Sequence, residues 1–365
     1  VITDVFASSA NNAYAGGITG YNDGGIIENC YNSNNIKAFA SFQLSDLRTF
    51  AGGIVGHNDA GVIKNCYNTG TVESSFNAGG ITACNERYNI YNDGTIINCY
   101  NIGYIDGNYS AGGITASNTA DIIECYNKGA ISTVSSYAYS YTAGITGYND
   151  GNILNCYNSG ELSTNANSYL VTDYVGGIAA QNVGNIAYCF NTGNTKNGEF
   201  NGGIVGYNVY NHLVSIRDCF NIGDIVGLSF AGGIVGFNEA VVENSYNIGD
   251  VKTLSTESYI YPGGLAGYNS SGKITNCYSL NIVPKEIGNG NNTDTVYSVE
   301  QMKQQKTFSG FDFDEVWTMT DNTDYLYPEL QGFPIQFKRA LSFITSSSLP
   351  TQLEYFEGES LNTSG

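Results

Sequence analysis

Nine cysteines are the residues best suited to chemistry in this 365-residue chain. Eight of them, Cys30, Cys66, Cys99, Cys125, Cys156, Cys189, Cys219 and Cys277, occupy one recurring position of a repeated sequence, and Ser245 fills that position in a further copy. Zinc sites draw on closely spaced Cys-x-x-Cys or Cys/His pairs, and no such pair occurs. A serine standing in for a thiol of similar volume points to a stack of small buried side chains, with no metal. The ninth thiol, Cys84, takes a variable position held elsewhere by Tyr21 or Tyr148, which implies exposure. His57 shares that variable position and reads as a plain surface residue. With His212 it completes the histidine inventory, so neither HExxH nor a GxSxG elbow is available for hydrolysis.

Carboxylates are the remaining chemical resource. Polysaccharide lyases and glycosidases need clustered acids, or acids beside Lys/Arg bases, on one face. Here Lys37, Arg48, Lys64, Arg87, Lys128, Lys196, Arg217, Lys252 and Lys273 are scattered along the chain. A carbohydrate-active enzyme is therefore the alternative, and a non-enzyme without cofactor is the expectation. Asp and Asn gather in turns at 22–25, 58–61 and 92–95, where they suit type I′ or Asx turns better than calcium. Asp312, Asp314 and Glu315 are a weaker calcium candidate.

A formal charge of −19 and a pI near 4.2 would repel phosphate backbones and anionic lipid, so no nucleic-acid partner and no membrane insertion are expected. Charged residues are only 13% of the chain, while Gly reaches 46 and Tyr 29, a composition poor in helix formers. A hydrophobic share of 42% still provides a core.

The elements that position these residues follow from self-comparison. AGGITGYN at 15–22 recurs as AGGIVGHN (51–58), AGGITACN (78–85), AGGITASN (111–118) and TAGITGYN (142–149). Four further copies read VGGIAAQN (175–182), NGGIVGYN (201–208), AGGIVGFN (231–238) and PGGLAGYN (262–269). Each is followed by an aliphatic residue three before Cys and then Cys-aromatic-Asn, as in IRDCFNIG (216–223), with Ser245 and Ser279 as the departures, and the pair repeats about every 31 residues. The interior of each repeat has short β-branched stretches and Gly or Asn-Gly turns, without 3.6-residue apolar spacing. Three strands per coil are expected: one with GGI, one with the Cys motif, and one after the following Gly.

The fold class is thus all-β: a right-handed parallel β-solenoid of about nine coils with a small C-terminal cap. Stacking would align Asn22, Asn58, Asn85, Asn118, Asn149, Asn182, Asn208, Asn238 and Asn269 in an amide ladder, with a second Asn ladder from Asn32 to Asn247. An inner aromatic ladder would run Tyr31, Tyr67, Tyr100, Tyr126, Tyr157, Phe190, Phe220, Tyr246 and Tyr278. Gly70, Gly103, Gly129, Gly160, Gly193, Gly223 and Gly249 are expected to take left-handed backbone at a corner. The variable position before the first Asn ladder carries the candidate binding aromatics Tyr21, Tyr148, Tyr207, Phe237 and Tyr268, which an exposed row would offer to sugar rings. Longer segments at 35–50, 130–141, 161–174 and 250–261 would bulge from one edge. The chain divides into a solenoid (1–283), a capping region (284–339) and a tail (340–365), with 284–295 a linker and 298–308 a short helix.

The paired elements GGIVGYN and NCYNTG resemble the GLUG repeats of bacterial cell-surface and secreted proteins, including the non-catalytic region of streptococcal IgA-specific metalloproteases. SSSLPTQLEYFEGESLNTSG (346–365) is similar to the first strand of bacterial immunoglobulin-like modules. The resemblance implies an extracellular solenoid, on the bacterial surface or secreted, within a longer multidomain protein. The expected role is a structural or adhesive rod that spaces binding modules and touches glycans or host or partner-cell proteins. A carbohydrate-active β-helix enzyme and the non-catalytic arm of an IgA-protease-like metallopeptidase are the alternatives.

Overall fold

The computed structural model describes residues 4–9, 12–40, 48–87, 94–134, 137–165, 171–211, 214–254, 262–280, 287–290, 296–319 and 326–331. His212, the segment 346–365 and parts of the long edge segments lie outside them. Within them the chain is a parallel β-solenoid whose successive coils stack in register. Among the described residues eight successive coils each contribute five short strands to five sheets, where the sequence suggested three, and the last coil contributes three. One coil shows the order: Thr49–Gly52 (sheet I), Val55–Asp59 (sheet II), Val62–Lys64 (sheet III), Tyr67–Asn68 (sheet IV) and Val72–Ser74 (sheet V). Two- and three-residue strands are too brief for propensity to reveal, and the Gly-Gly and Asn-Cys corners divide what reads as one apolar run.

The corner geometry differs from expectation. Left-handed backbone falls on the residue before each Cys of the repeated motif, Asn29, Asn65, Asn98, Glu124, Asn155, Tyr188, Asp218 and Asn276, and on Asn244 before Ser245, with φ between 48° and 56°. Asn and Asp tolerate this region best among non-glycine residues, which explains their prevalence there. The glycines four places after Cys are needed for another reason. A Cβ on Gly103 would lie 2.0 Å from the Gly70 carbonyl oxygen of the neighbouring coil, so only Gly allows the coils to close up.

This corner sets side-chain direction by the two-residue alternation of extended backbone. In Ile63-Lys64-Asn65-Cys66-Tyr67-Asn68, Ile63, Cys66 and Asn68 are buried, and Tyr67 points outward. The ladder expected inside therefore runs along the outer flank of sheet IV, its rings stacked 4.8–5.3 Å apart from Tyr31 to Tyr246. Tyr31 is 61% exposed. Columns of Ile, Val and Cys fill the interior.

The predicted linker contributes structure: Ile287–Gly290 adds the last strand of sheet II. The predicted helix is a four-residue turn, Val299–Met302, opened by a Ser298/Gln301 capping box and followed by a 3₁₀ turn at Gln305–Thr307. Met302, Phe308, Phe311, Trp317 and Leu330 then bury themselves along the sheet IV flank against Phe220, Tyr246 and Tyr278. Trp317 reaches back to donate its Nε1–H to Asp218 Oδ1 at 3.2 Å.

Candidate functional site

The repeated residues are absorbed in coil-to-coil bonding. From Asn22 to Asn269 each side-chain amide donates to the next Asn Oδ1 at 2.7–3.0 Å, and all the amides point the same way along the rod. A second column, Asn32 to Asn247, does the same at 2.7–2.8 Å. Asn68 also donates to the Gly70 carbonyl and accepts from the Gly70 N–H, so one side chain closes the corner and joins the coils. The second Gly of each GG pair makes room for this column: a Cβ on Gly53 would come within 2.5 Å of Asn68 Cγ.

Among the described residues none of the nine cysteines forms a disulfide. Cys66, Cys99, Cys125 and Cys156 each offer their backbone N–H to the Sγ of the next coil at 3.4 Å, and Cys219 offers its own to Ser245 Oγ at 3.1 Å. Serine thus serves as the same acceptor. Burial pushes the thiols of Cys99, Cys125, Cys156 and Cys189 well above their ordinary value, so they stay protonated and inert.

Outward positions of sheets III and V differ from coil to coil, and so do those of sheets I and II, where the varying residues include the candidate aromatics. The five candidate aromatics share one column of sheet II, where the pairings Tyr207↔Phe237 and Phe237↔Tyr268 make the last three neighbours. Tyr148 stands between Ser117 and Gln181, and Tyr21 stacks on His57 at 5.0 Å. Tyr21 is 45% exposed, while Tyr148, Tyr207, Phe237 and Tyr268 are half-buried. Their covering is a second column, on sheet I, that the sequence reading passed over: Tyr14, Phe50, Tyr141, Tyr174, Phe200 and Phe230. Phe200 meets Phe237 edge-on at 5.5 Å, and Phe230 meets Tyr268 likewise at 5.8 Å. The signal was an aromatic residue seven places before the variable position; where it is Asn77 or Ser110, the variable residue is small, Cys84 or Ser117.

Carboxylates of the next coil tie down some hydroxyls. Tyr21 donates to Asp59 Oδ2 at 2.9 Å and Tyr207 to Glu239 Oε2 at 2.7 Å. Burial, aided by the Asp59 bond, pushes the Tyr21 hydroxyl up to about 12.

Two expectations about this face are overturned. His57 is not a surface residue: it is 8% exposed, because Tyr21 covers its ring and Tyr14 and Phe50 present edges to it at 5.7 Å. Cys84 is likewise buried, at 4% exposed, beneath Phe50 and beside Ala83. Nε2 of His57 lies 3.4 Å from Glu86 Oε2. Burial raises the Cys84 thiol to about 12, with the Glu86 charge adding to the shift, while the hydrogen bond to His57 holds the Glu86 carboxyl below its usual range.

The family model described as the GLUG motif matches residues 11–37, 51–73 and 258–283, so the chain is a repeat protein carrying GLUG motifs. The described coils between those matches have the same ladders and register. A solved structure titled as a "putative immunoglobulin A1 protease" from Bacteroides ovatus is similar at 19% identity over 82% of this chain and 76% of that one, with a TM-score of 0.39. No curated protein matches the sequence. Among the described residues no helix is long and apolar enough to cross a membrane.

Proposed function

We propose that the chain is a non-catalytic rod of an exported bacterial protein, secreted or held at the cell surface, which spaces or presents binding modules and contacts glycans or host or partner-cell proteins. What supports this most is the division of labour between positions. Side chains repeated in every coil are bound up in amide, thiol and aromatic columns that stiffen the stack, whereas Tyr21, Tyr148, Tyr207, Phe237 and Tyr268, at a position that varies from coil to coil, line one partly exposed column of sheet II. A rod needs the first property and recognition needs the second.

Ring geometry narrows the contact. A sugar stacks on an open aromatic face, and Phe237 and Tyr268 cover each other at 4.9 Å. Tyr148 sits between two non-aromatic residues, so its ring face is the best placed in the column for a sugar. The test is binding of the purified chain to immobilised glycans and host matrix proteins, with reducing-sugar release read from the same wells. Saturable binding without release, weakened by Tyr148→Ala, is expected. Sugar release would overturn the proposal in favour of a carbohydrate-active enzyme, and silence in both readouts would reduce the role to spacing.

A further inference from the structure

His57, Cys84 and Glu86 come from two adjacent coils of sheet II, where the pairings His57↔Cys84 and Asp59↔Glu86 bring them together. One ligand atom from each, an imidazole nitrogen, a thiol sulfur and a carboxylate oxygen, lies within 4.8 Å of the other two. Bond lengths of about 2.0–2.3 Å in a tetrahedral zinc site correspond to ligand separations of roughly 3.3–3.8 Å, so a contraction of about 1 Å would close the group around an ion.

Two orphaned polar atoms adjoin the same place. His57 Nδ1 and Asn77 Oδ1 are buried without a hydrogen-bond partner, in side chains only 8% and 6% exposed. Buried polar atoms are ordinarily satisfied, and two orphans beside one thiol call for an explanation. Asn77 already faces Cys84, with its Nδ2 3.8 Å from Sγ. Turning that amide about its terminal torsion exchanges nitrogen for oxygen and gives the cluster a fourth donor.

The surroundings suit a cation. Asp59 stands in register with Glu86 and Asp23 with Asp59, which outweighs Arg48, the cation whose field reaches Cys84. Tyr14, Tyr21 and Phe50 wall the imidazole, while the Glu86 side chain, 47% exposed, leaves an entry route.

We propose that His57, Cys84 and Glu86, completed by Asn77 Oδ1, bind one divalent transition-metal ion of the zinc type. On binding, the Cys84 S–H bond breaks, its electron pair passes to the metal, and the proton leaves to solvent, with no change of oxidation state. The mixed nitrogen, sulfur and oxygen donor set favours zinc or cobalt over calcium or magnesium. The ion would pin the second coil to the third where aromatic interlocking gives way to Asn77 and Ser110.

The test is titration of the reduced, metal-free chain with Co²⁺ alone. A thiolate-to-cobalt charge-transfer band saturating at one ion per chain is expected, and Zn²⁺ should displace it and raise the melting temperature. Cys84→Ser should abolish the band without disturbing the metal-free fold, since Ser117 occupies the same column. His57→Phe keeps the ring stacking, as Phe237 does, and should weaken affinity by at least the roughly 10–100-fold that loss of a mere supporting contact brings. No band at saturating Co²⁺, or a band surviving Cys84→Ser and so arising from another thiol such as Cys30, would overturn the proposal.

Discussion

Replacing Asn127 by Ala probes the amide column where it is most enclosed. Asn127 is fully buried, accepts from Asn101 Nδ2 at 2.8 Å and donates to Asn158 Oδ1 at 2.8 Å. It also donates to the Gly129 carbonyl at 2.8 Å and accepts from the Gly129 N–H at 3.2 Å. Truncation removes all four bonds. Asn101 still reaches the Gly103 carbonyl and Asn158 Oδ1 still accepts from Gly160, so the groups that lose this partner outright are one Asn101 N–H and both Gly129 backbone groups. At about 1–3 kcal/mol for each buried group left unsatisfied, with partial rescue by entering water, the expected loss is roughly 3–6 kcal/mol. Solenoids unfold through neighbouring repeats and need not be two-state, so the assay pairs urea denaturation with amide exchange resolved along the chain. Protection should fall first between residues 99 and 160. Exposed Asn276→Ala, which removes a 3.2 Å bond at the rod surface and adds about 1 kcal/mol for an Ala in left-handed backbone, serves as the reference. A cost for Asn127→Ala within about 1 kcal/mol of that reference, or uniform loss of protection, would refute the view that the column holds the stack.

Other perturbations separate sterics, thiol packing, the cap and charge. Gly144→Ala would drive a Cβ to 2.2 Å from the Gly177 carbonyl and 2.3 Å from Asn158 Cγ, so soluble folded protein should be lost, whereas Gly24→Ala meets nothing within 4 Å and should cost only about 1 kcal/mol for its φ of +64°, as urea titration can check. Cys156→Ser should cost less than about 1.5 kcal/mol in the same assay, because Ser245 already performs that role. Trp317→Ala empties the fully buried centre of the cap and should cost about 3–5 kcal/mol, exposing Phe220 and Tyr246 to a hydrophobic dye. Burial raises the carboxyls of Asp106, Asp173, Asp224 and Glu199. A raised folded value means stability fully present below the unfolded value of about 4 and lost as pH rises through the folded one, so melting temperature should fall as pH rises above about 4. Glu86, lowered by His57, opposes this. Asp173, buried and bonded to Ser140 and Thr164, should supply part of the slope, and Asp173→Asn should flatten it.

The sequence by itself determined the architecture and the chemistry of the columns that recur in nearly every coil. In a parallel in-register stack, equivalent positions of successive repeats become neighbours, so the period of the sequence is already a contact map along the rod axis. That is why both Asn ladders, the thiol column and the aromatic column could be named residue by residue, with Ser245 as the natural substitution. Tertiary structure alone decided what happens across the columns. Where five corners fall depends on close contacts such as Gly103 against the Gly70 carbonyl and on the left-handed residue before each Cys, and those corners turn Tyr67 outward while Cys66 and Asn68 stay inside. The same lateral geometry folds Trp317 back onto Asp218 and buries His57 and Cys84 against the aromatic residues of sheet I. No periodicity encodes such meetings, because each depends on the width of a coil and on the side chains beside it, and neither repeats along the chain.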